Sequence, residues 1–337
     1  MNRPIAIVLF CLLAFSVQAR GQASAPPLRL VQTIPLPNVK GRIVHFNVDV
    51  GGKRLFIAAL GNHTVEVVDL KDGKWMRSVS GVKKPQGVWY IDTLGKLFVA
   101  DGDAGDVKVY RGGDLRLIAT IPLDLGPDAE AYDPVTKRLY VGYGGEDAGK
   151  SYGEVAVIDA ATDKHIGDIR TDAHPGAILV ADSGRTIYIT VPKSQEIAVI
   201  DAQTLHVVSK WRTLAQDPVS LAIDSTHHRL FVGARKPPAL EIYDSASHKR
   251  IDSLPSVGLM DGLFHDSARH RIYASGGEGY VAVYQQMDAN HYKQIAKIPT
   301  GPIARTSLFV PAFTRYYVAV PADDNHGAEI RAYEPER

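Results

Sequence analysis

Six residues carry the chemistry this sequence has to offer: His45, Gln86, Asp128, Glu130, Asp261 and Arg305. Each breaks a column of otherwise small or apolar residues in a repeat described below. An imidazole, an amide, carboxylates and a guanidinium that converge on one concavity make a ligand site, with polar groups setting orientation and apolar walls adding affinity. Asp128, Glu130 and Asp261 are also the donor type for a hard cation such as Ca²⁺, which takes oxygen ligands. With an ion in place, His45 or an acidic residue would serve as base toward a polarised carbonyl. The plainer reading is that such positions are wet, so polar side chains cost nothing there. A second set, Glu146, Asp147, Asp323, Asp324 and His326, lies in two glycine-containing stretches and would contact a ligand from loops.

Other patterns fail on context. Gly149-Lys150-Ser151-Tyr152-Gly153 spells a nucleophile elbow, but that motif needs a strand-to-helix turn and here falls between two strand-like runs. The Asp- and Gly-rich stretch from Asp101 to Asp106 lacks the closing glutamate of an EF-hand and reads as a tight turn. The 12 histidines form neither His-Glu-x-x-His nor His-x-His, which argues against a copper or zinc enzyme. One cysteine in 337 residues excludes a disulfide framework, Cys-ligated zinc, c-type haem attachment and iron–sulfur clusters. Lys+Arg 38 against Asp+Glu 37 gives a net charge of +1 and no basic field for nucleic acid. No cofactor is expected beyond the Ca-type ion already considered.

The first residues read as an address. Arg3 precedes an apolar run from Ile5 to Val17, and Val17-Gln18-Ala19 offers the small residues of a cleavage site. The expected division is a signal peptide over 1–19, a short linker over 20–27 and one domain over 28–337. The apolar run is too short to span a bilayer, so no transmembrane segment is expected after cleavage. Cys11 lies within that run, and a mature chain without cysteine suits a periplasmic or secreted location.

The elements that position the chemical residues come from a repeat. Arg54-Leu55-Phe56-Ile57, Lys96-Leu97-Phe98-Val99, Arg138-Leu139-Tyr140-Val141 and four later copies begin a strand-like run. From Leu55 to Tyr316 the step averages about 43.5 residues, the length of a propeller blade. A second run follows each, as in Val155-Ala156-Val157-Ile158-Asp159, and shorter runs flank the pair. Four β-rich segments in each of seven copies predict an all-β fold, a seven-bladed β-propeller with four antiparallel strands per blade. The chain ends after the third strand of its last repeat. Leu28-Arg29-Leu30-Val31-Gln32-Thr33-Ile34-Pro35-Leu36 nearly duplicates Leu115–Leu123, a fourth strand, so the N-terminal strand is expected to close the last blade.

Gly61-Asn62-His63-Thr64-Val65-Glu66-Val67-Val68-Asp69 and Glu196-Ile197-Ala198-Val199-Ile200-Asp201 resemble the repeats of YVTN-type β-propellers. The Leu-Tyr-Val and Leu-Phe-Val runs match the same family, while the Trp-Asp dipeptide of the related WD40 repeat is absent. The resemblance covers residues 28–337 and implies the fold. Its implied activities range over binding scaffolds, lactonase-like hydrolases and redox-enzyme propeller domains.

Aligned on the repeat, Val44, Gln86, Asp128, Gly176, Val219, Asp261 and Arg305 enter the first strands, followed by His45, Gly87, Ala129, Ala177, Ser220, Gly262 and Thr306. Both rings should surround the channel mouth. The loops carrying Glu146–Asp147 and Asp323–His326 are longer than their counterparts and belong to the same face. The favoured expectation is an exported binding or scaffold propeller for a small ligand, glycan or protein. The alternative is a Ca-type metal-dependent, lactonase-like hydrolase with Asp128, Glu130 and Asp261 on the ion.

Overall fold

The computed structural model describes residues 25–336, which form seven four-stranded antiparallel sheets around a ring. The expected signal peptide lies outside the described residues. Blades 1 to 6 cover residues 46–79, 85–122, 130–171, 178–212, 216–255 and 260–299. Blade 7 takes Ser307–Val310, Arg315–Val320 and Glu329–Pro335 from the end of the chain and Leu28–Pro35 from its beginning. The first strand of each blade lines the channel and the fourth forms the rim.

The burial pattern explains the sequence pattern. Second and third strands, such as Lys96–Asp101 and Glu196–Asp201, are covered on both faces by neighbouring blades, so their apolar runs are continuous rather than alternating. Rim strands such as Lys74–Val79 are mostly exposed and carry the charges that discourage edge-to-edge association. The aspartate that ends many third strands has a structural task. Asp69, Asp159, Asp201 and Asp244 each accept backbone N–H groups two and three residues on, closing the turn into the rim strand.

Ring closure follows the expected pairing. Leu28 lies opposite Pro335, Ile34 opposite Ile330 and Pro35 opposite Glu329, with one bulge between Leu30 and Gln32. Arg271 of blade 6 donates to the Glu336 carbonyl at 2.6 Å and the Pro27 carbonyl at 3.4 Å, pinning both ends of the chain. Ile34, Leu36 and Ile330 are fully buried in one cluster with Ile57 of blade 1 and Ala319 of blade 7.

Ile34→Ala should therefore cost about 3 kcal/mol, measured by urea unfolding. Deleting residues 28–35 should leave an unpaired edge and abolish the single cooperative melt; retention of that melt would contradict closure by this strand.

Candidate functional site

Blades 1 to 6 reach the channel mouth through the same irregularity. In blade 1 the Ala58 carbonyl accepts from Val44 N, while Ala58 N donates to the His45 carbonyl. Asp128 and Ala129 share Gly142 in this way, and Gly176 and Ala177 share Thr190. Register shifts between Pro85 and Val88, Pro218 and Ser220, and Met260 and Gly262 mark the corresponding places in blades 2, 5 and 6. Two residues opposite one define a β-bulge, which bends the strand and re-aims its side chains. In these six blades the two rings read from the sequence are the two residues of the bulge, while in blade 7 Thr306 keeps the bond from Ala319 N and Arg305 N turns to the Ile303 carbonyl.

The bulges surround a cavity of about 430 Å³ on the ring axis. Trp89, Leu221, Phe264 and Leu308 give it apolar surface, and Arg42, His45, Asp128, Asp217, Arg235 and Asp261 bring polar groups to it. Six blades, counted with the segments that lead into them, contribute those ten residues.

His45 Nδ1 lies 3.0 Å from the Gln86 carbonyl, which can only accept, so Nδ1 is the donor. Asp128 Oδ1 stands 3.7 Å from the same nitrogen. Glu130 also lines the cavity, but its carboxyl is turned into the wall between blades 2 and 3. A Cβ on Gly87 would sit 2.8 Å from the Glu130 carboxyl carbon and 2.2 Å from the Asp128 carbonyl, so only glycine leaves this room. Both Glu130 oxygens are shielded from water and have no hydrogen-bond partner. Burial, and secondarily the charge of Asp128, pushes this carboxyl well above the ordinary range.

Across the cavity, Arg235 donates from Nη2 to Asp261 Oδ1 at 3.0 Å and from Nε to the Met260 carbonyl at 2.8 Å. Arg305 approaches Asp261 Oδ2 with Nε at 3.2 Å from behind the cavity wall. Its backbone is fixed to blade 6, because the Arg305 carbonyl accepts from Ser275 Oγ at 2.5 Å and Gly262 N at 3.2 Å.

The sequence-derived positions divide accordingly. His45, Asp128, Glu130 and Asp261 line the cavity, and Arg305 supports it through Asp261. Gln86 is a correction: its side chain is buried, packing close to Gly102, and it serves the site through its carbonyl. Gly102 leaves room for it: a Cβ there would lie 3.1 Å from Gln86 Nε2. The loop residues do not reach the cavity either. Glu146 pairs with Lys193, and Asp147 lies 3.6 Å from Lys84. Asp323 caps Asn325 and His326 in a groove between residues 35–40 and 322–328, with Asp324 beside them. The longer loop still matters, since its Gly144 carbonyl accepts from Nδ1 of His174, a cavity residue, at 2.9 Å.

The three carboxylates proposed as ion ligands do not converge. Asp261 is engaged by two guanidiniums, and Glu130 is buried without a partner. Among the described residues no three His, Cys, Asp or Glu side chains come together as a ligand set. The donor set at the mouth fits a metal ion poorly.

Arg42, Asp217, Arg235, His174 and Trp89 were missed. Arg42 comes from a connecting segment that the repeat does not fix, and Asp217 from the start of a first strand, Gln216–Asp224, that is longer than its counterparts. Arg235 extends a second strand, Arg229–Lys236, that is longer than its counterparts, and the basic pair at its end was the available signal.

Comparison with known proteins agrees at the level of the fold. No family model matches the chain. The uncharacterized protein YncE of Salmonella typhimurium is 23% identical over 233 residues, covering 67% of this chain and 63% of that protein. A chain of Kuenenia stuttgartiensis hydrazine synthase superposes with a TM-score of 0.72 at 18% identity, over 87% of this chain and 97% of that one. A chain of the mitotic checkpoint complex does so with 0.76 at 11% identity, over 99% and 98%. The chain is a seven-bladed β-propeller. At these identities the likenesses carry architecture and no activity.

Glu130 gives the site a pH signature. Unfolded, it ionises near the ordinary value of about 4.3; folded, it keeps its proton to higher pH. Between the two values the native state holds a proton the unfolded state has lost, so this group's contribution is full at low pH and declines as pH rises. Relative to the wild type, Glu130→Gln should gain up to about 1.4 kcal/mol per pH unit above pH 4. Urea unfolding from pH 4 to 7 measures this, and parallel profiles for the two proteins would contradict it.

Proposed function

We propose that this chain is an exported binding propeller of the YVTN type that takes a small ligand into the channel mouth. The observation that carries the reading is the axial cavity, of a size suited to one small molecule, with apolar surface and a few fixed polar groups from several blades. The repeat motif and the likeness to YncE support the family. The pattern over 1–19 supports export to a periplasmic or extracellular compartment. Among the described residues no helix is long and apolar enough to cross a membrane.

One arrangement favours a hydrolytic second reading. His45 holds Nδ1 3.7 Å from Asp128 Oδ1, at the same cavity as Glu130, whose proton affinity burial raises. An imidazole and a carboxyl at one cavity are the group types that serve as base and acid in acyl or lactone hydrolysis. Turnover of a lactone panel that His45→Gln abolishes would favour this reading over simple binding.

Trp89 at the cavity supplies a probe. A screen of small molecules should produce ligands that change tryptophan fluorescence. Ala129→Phe, which adds a ring to the cavity wall, should weaken them at least tenfold with an unchanged thermal midpoint. Asp323→Ala and Asp324→Ala should leave binding intact. Ligands that tolerate the cavity substitution but respond to the loop substitutions would overturn the assignment.

A further inference from the structure

One wall of the cavity holds more positive charge than the fold neutralises. Arg235 and Arg305 both engage Asp261, and neither has another carboxylate partner among the described residues. Arg42 lines the same cavity, is exposed and makes no ion pair among those residues. Two guanidiniums thus share one carboxylate, and the third has none. Burial lowers the proton affinity of Arg305; Asp261 opposes this, while Arg42 and Arg235 add to it. Asp217, the other carboxylate on this side, faces Lys236 at 3.7 Å.

The Arg42 segment is held by close backbone packing. Gly61 N donates to the Arg42 carbonyl at 2.9 Å, and a Cβ on Gly61 would meet Arg42 N at 2.6 Å. The backbone is anchored while the side chain is exposed at the cavity. A guanidinium in that position is suited to the paired oxygens of a carboxylate or phosphate. Phe264 and Leu308 offer apolar surface in the same cavity.

Resting on the ligand-pocket reading above, we infer that the natural ligand is a small molecule bearing an oxyanion, held at the wall formed by Arg42, Arg235 and Asp261 with its apolar body across the channel. Carboxylate and phosphate share the recognising chemistry. Arg42 contacts the anion directly, and Asp261 aligns Arg235 beside it.

The test compares benzoate, phenyl phosphate and the neutral benzamide by isothermal titration at low salt. At least one anion should bind tenfold or more tightly than benzamide, and which one does so distinguishes carboxylate from phosphate. The preference should collapse in Arg42→Gln, a variant whose exposed side chain leaves folding untouched, and should shrink with added salt. Arg42→Lys should retain part of it. Equal affinities for all three probes, or a preference that survives Arg42→Gln, would overturn the inference while leaving a ligand pocket standing. Binding by none of the three also overturns it, and the pocket reading then rests on the wider screen with Ala129→Phe.

Discussion

Antiparallel pairing between Leu28–Pro35 and Glu329–Pro335 is the constraint on which the rest depends. The cavity has no single element of its own. Its walls come from first strands and the segments beside them, spread from residue 42 to residue 308, and they face one another only while the ring is closed. Thr306 Oγ1 donates to the Ile43 carbonyl at 3.0 Å, so the seam between the last and first blades lies directly behind Arg42, His45 and Arg305. A ring opened there would separate the arginines from Asp261 and leave the channel with no defined mouth.

Within the closed ring, a repeated bulge converts a structural repeat into a site. A regular strand would alternate its side chains between the two blade faces. Doubling two residues against one at the mouth turns side chains toward the axis instead, and each blade can then vary what it presents. Blades 1 and 3 present His45 and Asp128, while blade 6 presents Asp261 and blade 4 presents glycine and alanine. The result is a polarised cavity: an acid and imidazole side, and a guanidinium side held by one carboxylate.

The fold was legible because propellers write their period into the chain. Leu-Tyr-Val runs are needed wherever a strand is covered on both faces, and aspartate is needed where a strand turns back on itself. The near-duplication of 28–36 and 115–123 exposed the closure. Parts of the site were legible for the same reason, since Asp128, Glu130, Asp261 and His45 stand out from their columns. Gln86 stands out equally, yet its side chain lies beside Gly102, because the column records position along the strand and not the room that neighbours leave. Arg42 sits in a connection that obeys no repeat, and Asp217 in an early extension of the first strand of blade 5. His174 depends on a loop whose path is set by its contact with Gly145, where a Cβ would lie 2.7 Å from the histidine. The long loops were read as ligand contacts on length alone; their charges are spent on neighbouring lysines and on capping their own turns.

The account stands or falls on whether the channel mouth is where a ligand goes. Crystals soaked in a mixture of small organic fragments would locate the preferred site without assuming the ligand. The account predicts density on the ring axis, in contact with Arg42 or Asp261 on one side and Trp89 or Phe264 on another. Density confined to the groove between residues 35–40 and 322–328, with the channel mouth holding only water, would contradict it.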